Sequence, residues 1–241
     1  MTWAIIGASR GLGRELAREL ARGGEDLVLV ASGAADLATL ASELAREHRL
    51  RAVVVAADLG DPETSIDAIV AAVRGAGPLR GLLLPIGAAR SDDDGTLGRG
   101  ATDRLVRINL LAPMALVAAL LPDLLATGGT VVGFSSVATA RGRGSNVAYA
   151  AAKRGLESYF ESLRHGFAGR LCVQLYVLGY LDTERVTART ALPKGDPRRL
   201  ARRVVSDLGR SIGPRHYPGW WRIIVMGIRW IPWPIFRRLR F

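Results

Sequence analysis

The chain has 241 residues, of which 49% are hydrophobic and 28 are Gly, so it is long enough for one large α/β domain and is not a disordered chain. The single cysteine, Cys172, excludes an intrachain disulfide, and the three scattered histidines lack metal-ligand spacing, so we expect no metal. The formal net charge is +11, but most positive residues lie on predicted helix faces and no nucleic-acid motif is present, so we predict no nucleic-acid partner.

Short apolar runs alternate with segments of helical periodicity along the chain. The predicted strands are Trp3–Gly7, Leu27–Ala31, Arg51–Ala57, Leu82–Ile86, Thr130–Ser135 and Leu171–Leu178. The predicted helices are Gly11–Arg22, Ala35–His48, one starting behind Asp61-Pro62, Ala101–Leu125 with a bend at Pro113, and Ala148–Phe167. Apolar strands joined by helices predict a doubly wound, Rossmann-type parallel sheet with helices on both faces. We predict one domain over residues 1–214 and an amphipathic C-terminal tail over residues 215–241.

A glycine-rich loop joins the first strand to the first helix. Glycines there permit a tight turn and the close approach of a pyrophosphate, which the helix N-terminus then stabilises. The candidate cofactor-binding residues of this loop are Gly7, Ser9, Arg10, Gly11, Leu12 and Gly13. The spacing differs from G-x-G-x-x-G, but the position directly after an N-terminal strand favours nucleotide binding over a simple turn.

Two features bear on the choice between NAD and NADP. Arg10 can reach a 2′-phosphate with charge-assisted hydrogen bonds, although it could also be a solvated loop cation. The second strand is followed by Ala31-Ser32-Gly33, with no acidic residue there to bond the ribose hydroxyls. NADP(H) is therefore favoured over NAD(H), with Ser32 in its site. Asp58 and Leu59, after the third strand, are candidates for the adenine edge, unless Asp58 is a plain helix cap.

Tyr149 and Lys153 lie four residues apart on a predicted helix and therefore face the same way. A free phenol, with a pKa near 10, is a poor base at neutral pH, and a nearby ammonium is expected to lower that pKa. Ser136 lies upstream at the end of a strand and Asn109 lies further upstream. Following a nucleotide loop, this order of residues predicts acid–base catalysis by Tyr149.

These motifs make residues 3–183 resemble the classical branch of the short-chain dehydrogenase/reductase (SDR) family. The resemblance implies a catalytic tetrad for hydride and proton transfer, matched here by Asn109, Ser136, Tyr149 and Lys153. Ser136 is chosen over Ser135 because it lies thirteen residues before Tyr149, the spacing common in that family. The resemblance also implies that subunits associate as homodimers or homotetramers.

Three positions depart from the pattern of that family. Ile6 replaces the usual Thr, Leu84-Pro85-Ile86-Gly87 replaces Asn-Asn-Ala-Gly, and Leu178-Gly179 replaces Pro-Gly. By resemblance, Gly87, Gly179 and Thr183 are further cofactor-binding residues, with Thr183 matching a threonine that contacts the nicotinamide carboxamide. We expect an altered cofactor pocket that retains its proton-transfer groups.

The resemblance implies a carbonyl reductase or alcohol dehydrogenase, for which Arg10 favours NADP(H) as the cofactor. The apolar C-terminal tail favours a hydrophobic, lipid-like ketone or secondary alcohol as the substrate. Tyr149 would serve as acid or base, Ser136 would orient the substrate oxygen, Lys153 would bond the nicotinamide ribose, and Asn109 would hold a water linking Lys153 to solvent. The alternative function, motivated by the altered positions, is a non-catalytic dinucleotide sensor that binds a partner or a membrane through its tail.

The tail holds four of the five tryptophans, Trp220, Trp221, Trp230 and Trp233, together with six arginines and no acidic residue. Its apolar stretch is too short and too charged to span a bilayer, but Trp and Arg suit a membrane interface. A subunit interface and a lid over the substrate remain open as alternatives. We expect a cytoplasmic protein, which would be peripheral at the inner membrane face if the tail binds a membrane interface. Residues 183–199 are predicted to be a mobile loop over the substrate, and Asp92-Asp93-Asp94 a solvated loop.

Overall fold

The computed structural model of the chain describes residues 1–61, 63–64, 66–183 and 192–239. Its strands are β1 (Thr2–Ile6), β2 (Asp26–Ala31), β3 (Ala52–Ala56), β4 (Leu79–Leu84), β5 (Thr130–Ser136), β6 (Cys172–Leu178) and β7 (Ile212–Tyr217). They form one parallel sheet in the order β3-β2-β1-β4-β5-β6-β7. The chain reverses its direction of travel across the sheet between β1 and β4, which confirms the predicted doubly wound fold.

Helices cover both faces of this sheet. They are α1 (Gly11–Arg22), α2 (Ala34–Glu47), α3 (Ile66–Gly75), α4 (Arg99–Val106), α5 (Ala112–Thr127), α6 (Val147–Gly166), α7 (Pro197–Ser206), α8 (Trp221–Trp230) and α9 (Trp233–Phe236). One apolar core lies between the sheet and α1, α2 and α7, and a second lies between the sheet and α3, α5 and α6. Residues of β1 alternate between them, with Ile5 in the first core and Ile6 in the second.

The helical stretch before β5 is interrupted where the sequence predicted a bend. Residues Arg107–Leu111 form a π-helical turn between α4 and α5, and Pro113 lies in the first turn of α5. Proline has no N–H and its ring crowds the carbonyl four residues earlier, which here belongs to Asn109, so a widened turn relieves the conflict. The π-helical turn therefore sets the position of Asn109.

The same stretch, Arg99–Thr127, is one helix among the described residues with the length and hydropathy of a membrane span. One third of its most apolar window is buried. Leu116, Leu120 and Leu124 of α5 are buried against the sheet. Part of its apolar surface is therefore explained by the core.

The sequence did not predict α7 or β7, and β7 includes Arg215–Tyr217, which had been assigned to the tail. A strand that reads Ile-Gly-Pro-Arg-His-Tyr has no apolar alternation, and its Pro214 is tolerated because β7 lies at the sheet edge. Buried Asp207 attaches β7 to the domain, because its carboxylate accepts hydrogen bonds from Arg215 and from the Tyr176 hydroxyl at 3.0 Å.

The predicted start of the third helix behind Asp61-Pro62 is wrong by several residues, since α3 begins at Ile66. Asp61 instead forms a turn, in which its carbonyl accepts from the Thr64 amide at 3.2 Å and its carboxylate accepts from the Glu63 amide at 2.9 Å. Pro62 lies outside the described residues. An Asp side chain that bonds a nearby amide offers the backbone an alternative to helix.

Candidate active site

A cavity of about 660 Å³ opens at the carboxyl ends of the strands, between the loops that follow the neighbouring strands β1 and β4. It is of a size that suits an organic ligand. The predicted site residues that line it are Gly7, Ser9, Arg10, Gly11, Leu12, Ser32, Asp58, Leu59, Gly87, Ser136, Tyr149, Lys153, Gly179 and Thr183. Gly13 and Asn109 stand behind its wall. The fold thus brings residues from six loops to one place.

The glycine loop forms a cradle that side chains would fill. Gly7 and Gly11 have φ angles of +98° and +53°, in the left-handed region, and a Cβ on Gly13 would lie 2.0 Å from the Gly7 carbonyl oxygen. At the start of α1, the Arg10 side chain makes no capping hydrogen bond. The first-turn N–H groups of the helix are thereby available to an anion. These features fit the pyrophosphate of a dinucleotide.

Lys153 is buried at the floor of the cavity, with 3% of its surface exposed. Its Nζ donates to the Ile86 carbonyl and to the Phe134 carbonyl, each at 3.0 Å. Burial lowers the pKa of this ammonium to about 8. Although Ile86 replaces a family residue, Lys153 uses its backbone carbonyl, so this contact does not depend on the side chain at position 86.

Tyr149 and Ser136 meet on the cavity wall. Ser136 ends β5, and its hydroxyl accepts from the Ala138 amide at 3.2 Å, which caps a short 3₁₀ turn over Val137–Ala140. Burial raises the pKa of the Tyr149 phenol, and a hydrogen bond with Ser136 opposes that shift only in part. The sequence predicted a pKa lowered by Lys153. That prediction is wrong for this structure, because desolvation disfavours the phenolate more than nearby groups stabilise it.

Ser135 points away from this pair and into a polar cluster behind the site. Its hydroxyl donates to Glu157 Oε1 at 2.7 Å, and the Thr139 hydroxyl lies 2.7 Å from the same oxygen. The Thr139 hydroxyl also lies 2.7 Å from the Ser136 carbonyl oxygen. Both serines border the cavity, but the geometry pairs the hydroxyl of Ser136, and not that of Ser135, with Tyr149. Glu157, eight residues after Tyr149 on α6, supports the backbone there and was not identified from the sequence.

Asn109 is fully buried in the π-helical turn. Its Nδ2 donates to the Ala88 carbonyl at 2.7 Å and to the Leu105 carbonyl at 2.9 Å, while its Oδ1 accepts from the Ala88 amide at 3.2 Å. Both amide hydrogens are thus used within the protein, and only Oδ1 retains a lone pair. Asn109 thus attaches the π-helical turn to the chain beside Gly87. The water that the sequence predicts between Asn109 and Lys153 stays a prediction.

Ion pairs flank the end of the cavity expected to hold the adenosine. Arg10 Nε donates to Asp36 Oδ2 at 2.8 Å, and Arg104 donates to the two Asp58 oxygens at 2.8 and 3.1 Å. The Arg104 guanidinium holds the pKa of the Asp58 carboxyl below its usual value. Neither partner is evident from the sequence. Asp36 lies beyond the Ala31-Ser32-Gly33 segment that follows the second strand, and nothing local connects Arg104 with Asp58.

The segment after β6 closes the other end of the cavity. Thr183 lies against the glycine loop, since a Cβ on Gly11 would be 3.4 Å from Thr183 Cγ2. Gly179 lies under the indole of Trp221, where a Cβ would be 1.8 Å from Nε1. Trp221 is 6% exposed, and its Nε1 has no acceptor among the described residues. Of the predicted loop over residues 183–199, residues 184–191 lie outside the described residues.

Asp93 holds the N-terminus of the helix that carries Tyr149. It is 2% exposed, and its carboxylate accepts from the Ala148 and Tyr149 amides, each at 3.0 Å. The prediction that Asp92, Asp93 and Asp94 are all solvated is therefore wrong for Asp93. No group of three His, Cys, Asp or Glu side chains in the described part of the chain is placed to hold a metal ion.

We expect Asp93→Ala to lower the free energy of unfolding by about 2 kcal/mol, because two N–H groups at the second and third positions of α6 lose their acceptor. Turnover should fall as well, since the helix start positions Tyr149. Asp92→Ala is the matched control: Asp92 is exposed, pairs with Arg90, and should leave stability unchanged. Urea denaturation of both variants measures the difference, and equal stabilities would contradict the capping role.

The family model described as "short chain dehydrogenase" matches residues 2–192. The hydroxysteroid 11-beta-dehydrogenase 1-like protein A of Xenopus laevis is 30% identical over 227 residues, which cover 90% of this chain and 77% of that protein. An uncharacterized oxidoreductase of Mycobacterium tuberculosis is 28% identical over 233 residues, 94% of this chain and 92% of that protein.

Among solved structures, the short-chain dehydrogenase from Sphingobium yanoikuyae in complex with NADPH superposes with a TM-score of 0.82. It is 25% identical, and the match covers 99% of this chain and 96% of that one. The similarity therefore extends through α8 and α9 as well as through the sheet.

Proposed function

The chain belongs to the short-chain dehydrogenase family, and from this premise we propose that it is an NADP(H)-dependent carbonyl reductase or alcohol dehydrogenase for a hydrophobic ketone or secondary alcohol. The observation that carries the proposal is the meeting of Ser136, Tyr149 and Lys153 in the same cavity as the glycine loop. A nicotinamide dinucleotide is the cofactor of several structural neighbours, including complexes with NADPH and with NAD.

The residues have separable roles in this reaction. The glycine loop would hold the pyrophosphate, and Tyr149 and Lys153 the nicotinamide ribose. When bound, the cofactor supplies or accepts the hydride. In the reductive direction Tyr149 donates its phenolic proton to the substrate oxygen, and its raised pKa keeps that proton in place at neutral pH. The Ser136 hydroxyl bonds the same oxygen and stabilises the negative charge that develops there.

Lys153 contributes a buried positive charge in the protonated state. Its two carbonyl partners, one in the loop after β4 and one in β5, fix Nζ on the helix turn that follows Tyr149. A phenolate formed when Tyr149 gives up its proton is stabilised by this charge. Lys153 therefore stabilises the deprotonated state of Tyr149 during turnover. In the resting state, burial raises the pKa of Tyr149 and favours the protonated phenol.

The preference for NADP(H) is supported by Arg10 and qualified by its partner. Arg10 is half exposed and pairs with Asp36, so a 2′-phosphate would have to compete with that carboxylate. An exposed ion pair is worth about 0–1 kcal/mol, while a phosphate offers more charge and more acceptor oxygens. Arg10 is therefore expected to exchange its ion pair with Asp36 for one with the 2′-phosphate of NADP(H). NAD(H) has uncharged ribose hydroxyls at that position and would not compete with Asp36.

The hydrophobic substrate class is supported by the apolar lining of the cavity. Ile86, Phe134, Leu178 and Leu181 contribute to the wall of the cavity that also holds Ser136 and Lys153. The name of the Xenopus laevis relative refers to hydroxysteroid dehydrogenases, whose substrates are large apolar alcohols and ketones. We propose a homodimer or homotetramer in the cytoplasm on the strength of family membership and sequence composition.

The test is a titration of the protein and of Arg10→Ala with NADPH and NADH, followed by nicotinamide fluorescence. Losing one charge-assisted contact should weaken NADPH binding by about 10–100-fold and leave NADH binding nearly unchanged. Arg80→Ala is the matched control. Arg80 is about as exposed as Arg10 and also forms an ion pair, with Glu25, but it lies at the end of β4 that is remote from the cavity.

Tighter binding of NADH than of NADPH would overturn the cofactor preference. Failure to bind either nucleotide would overturn the enzyme proposal. NADPH binding without oxidation in the presence of steroid ketones, aliphatic ketones and aromatic ketones would favour the sensing alternative instead.

A further inference from the structure

Helix α8 has two apolar faces, although only one of them contacts the protein. Trp221 and Val225 are buried against the domain. On the other side Ile223, Met226 and Trp230 are 70%, 56% and 82% exposed. Their spacing of three and four residues aligns them as one stripe. On the face that points away from the domain, a surface helix of a globular protein normally presents polar residues. The apolar stripe on this face therefore indicates that it contacts a second apolar environment.

The stripe continues beyond α8. Trp233 and Ile235 of α9 are 62% and 55% exposed, and Leu239 is 43% exposed. Of the eleven exposed large apolar side chains among the described residues, six lie between positions 223 and 239. We call this set the C-terminal apolar surface: Ile223, Met226, Trp230, Trp233, Ile235 and Leu239. Such concentration distinguishes it from the scattered exposed apolar residues of ordinary protein surfaces.

The charges bordering this surface have one sign. Arg222, Arg229, Arg237 and Arg238 are exposed around it, and no acidic residue follows Asp207 in the sequence. On α8, Arg222 and Arg229 lie between the buried face and the exposed stripe, seven residues apart and therefore on the same side. When the apolar stripe lies in the acyl region, guanidinium groups at this position on the helix reach the level of the anionic headgroups. If the surface instead contacted the same surface of a second copy of the chain, arginines would face arginines and repel one another.

The surface is held to the domain by specific contacts. The Arg141 guanidinium lies 4.1 Å from the centre of the Phe236 ring, and its NH1 donates to the Ile228 carbonyl at 3.4 Å and to the Ile231 carbonyl. Arg229 Nε donates to the Ala140 carbonyl at 3.4 Å. Ala140 ends the 3₁₀ turn that Ser136 caps and Arg141 follows it, so the surface is anchored directly beside the active site.

We propose that the C-terminal apolar surface binds the face of an anionic lipid bilayer, with Ile223, Met226 and Trp230 in the acyl region and the arginines at the phosphates. The indole of Trp233 on α9 lies at headgroup level, where tryptophan is enriched in membrane proteins. Because Trp221 covers Gly179 from the same helix, binding places the substrate end of the cavity next to the bilayer. This inference stands independently of the proposed reaction.

The experiment is flotation of the full chain with vesicles of phosphatidylcholine alone and of phosphatidylcholine mixed with phosphatidylglycerol. The wild-type protein should float with the mixed vesicles and at least tenfold less with the neutral ones. Ile223→Ser with Trp230→Ser should reduce flotation by about tenfold or more, as should Arg222→Gln with Arg238→Gln.

Two control proteins carry the same kinds of change elsewhere. Val54→Ser with Leu111→Ser removes exposed apolar side chains outside the surface, and Arg46→Gln with Arg49→Gln removes exposed arginines on and after α2. Both should float like the wild type. Circular dichroism and sedimentation of every variant without lipid establish that it is folded and report its assembly state.

Absence of flotation with either vesicle would overturn the proposal. Equal flotation of all variants would also overturn it, because binding would then not depend on this surface. A smaller assembly of the Ile223→Ser, Trp230→Ser variant, together with a wild-type protein that does not float, would assign the surface to contacts between subunits.

Discussion

Tyr149→Phe is expected to lower turnover by about 10²–10⁴-fold, the usual contribution of a positioned acid or base. The substitution removes only the phenolic oxygen, so the ring still fills its place on α6 beside Ser136. Lys153 keeps its hydrogen bonds to the Ile86 and Phe134 carbonyls, since neither involves Tyr149. Affinity for NADPH should therefore change by no more than a few-fold, and the loss should appear in kcat.

Tyr159→Phe is the matched control for this prediction. Tyr159 lies on the same helix, is partly buried against the apolar core between the sheet and α3, α5 and α6, and is not among the residues that line the cavity. Oxidation of NADPH with a ketone found in the substrate panel measures both variants. If Tyr149→Phe turned over as fast as Tyr159→Phe, Tyr149 would not be the proton donor.

Gly13→Ala is expected to lower the free energy of unfolding by about 3 kcal/mol and to abolish tight dinucleotide binding. The added methyl group would lie 2.0 Å from the Gly7 carbonyl oxygen, a backbone atom that cannot rotate away. Helix α1 must then shift from β1, and overpacking of this kind costs about 1–3 kcal/mol or more. The shift also removes the first-turn N–H groups from the pyrophosphate.

Gly100→Ala provides the control, because Gly100 lies in α4 and a Cβ there meets no atom within 4 Å. That variant should be as stable as the wild type or more stable by up to about 1 kcal/mol, since alanine favours helix. Urea denaturation and NADPH titration are the measurements. A Gly13→Ala protein with wild-type stability and affinity would contradict the close approach seen in the loop.

Secondary structure and site residues were predictable where the signal is local. The strands β1 to β6 appear as apolar runs and the larger helices as periodic ones, so their order led to the sheet topology. β7 gave no such signal, because its attachment depends on Asp207, Arg215 and Tyr176 rather than on its own apolar residues. The tail boundary was therefore placed inside a strand.

The electrostatics of the site could not be predicted in the same way. From sequence, a lysine four residues after Tyr149 suggested a lowered phenol pKa. In the folded chain burial dominates and raises the pKa of Tyr149. Burial is a property of all the elements packed around a group, and helical spacing carries no information about it.

Apolar periodicity determined the fold class, and motif order together with the family resemblance determined the family and most of the residues that meet in the cavity. Only the tertiary structure decided their partners: Asp36 for Arg10, Arg104 for Asp58 and Asp93 for the amide of Tyr149, which are 26, 46 and 56 residues apart. It also separated the buried and exposed faces of α8. The physical reason is that periodicity arises from neighbours on one helix or strand, whereas ion pairs, capping contacts and burial arise when distant segments pack together.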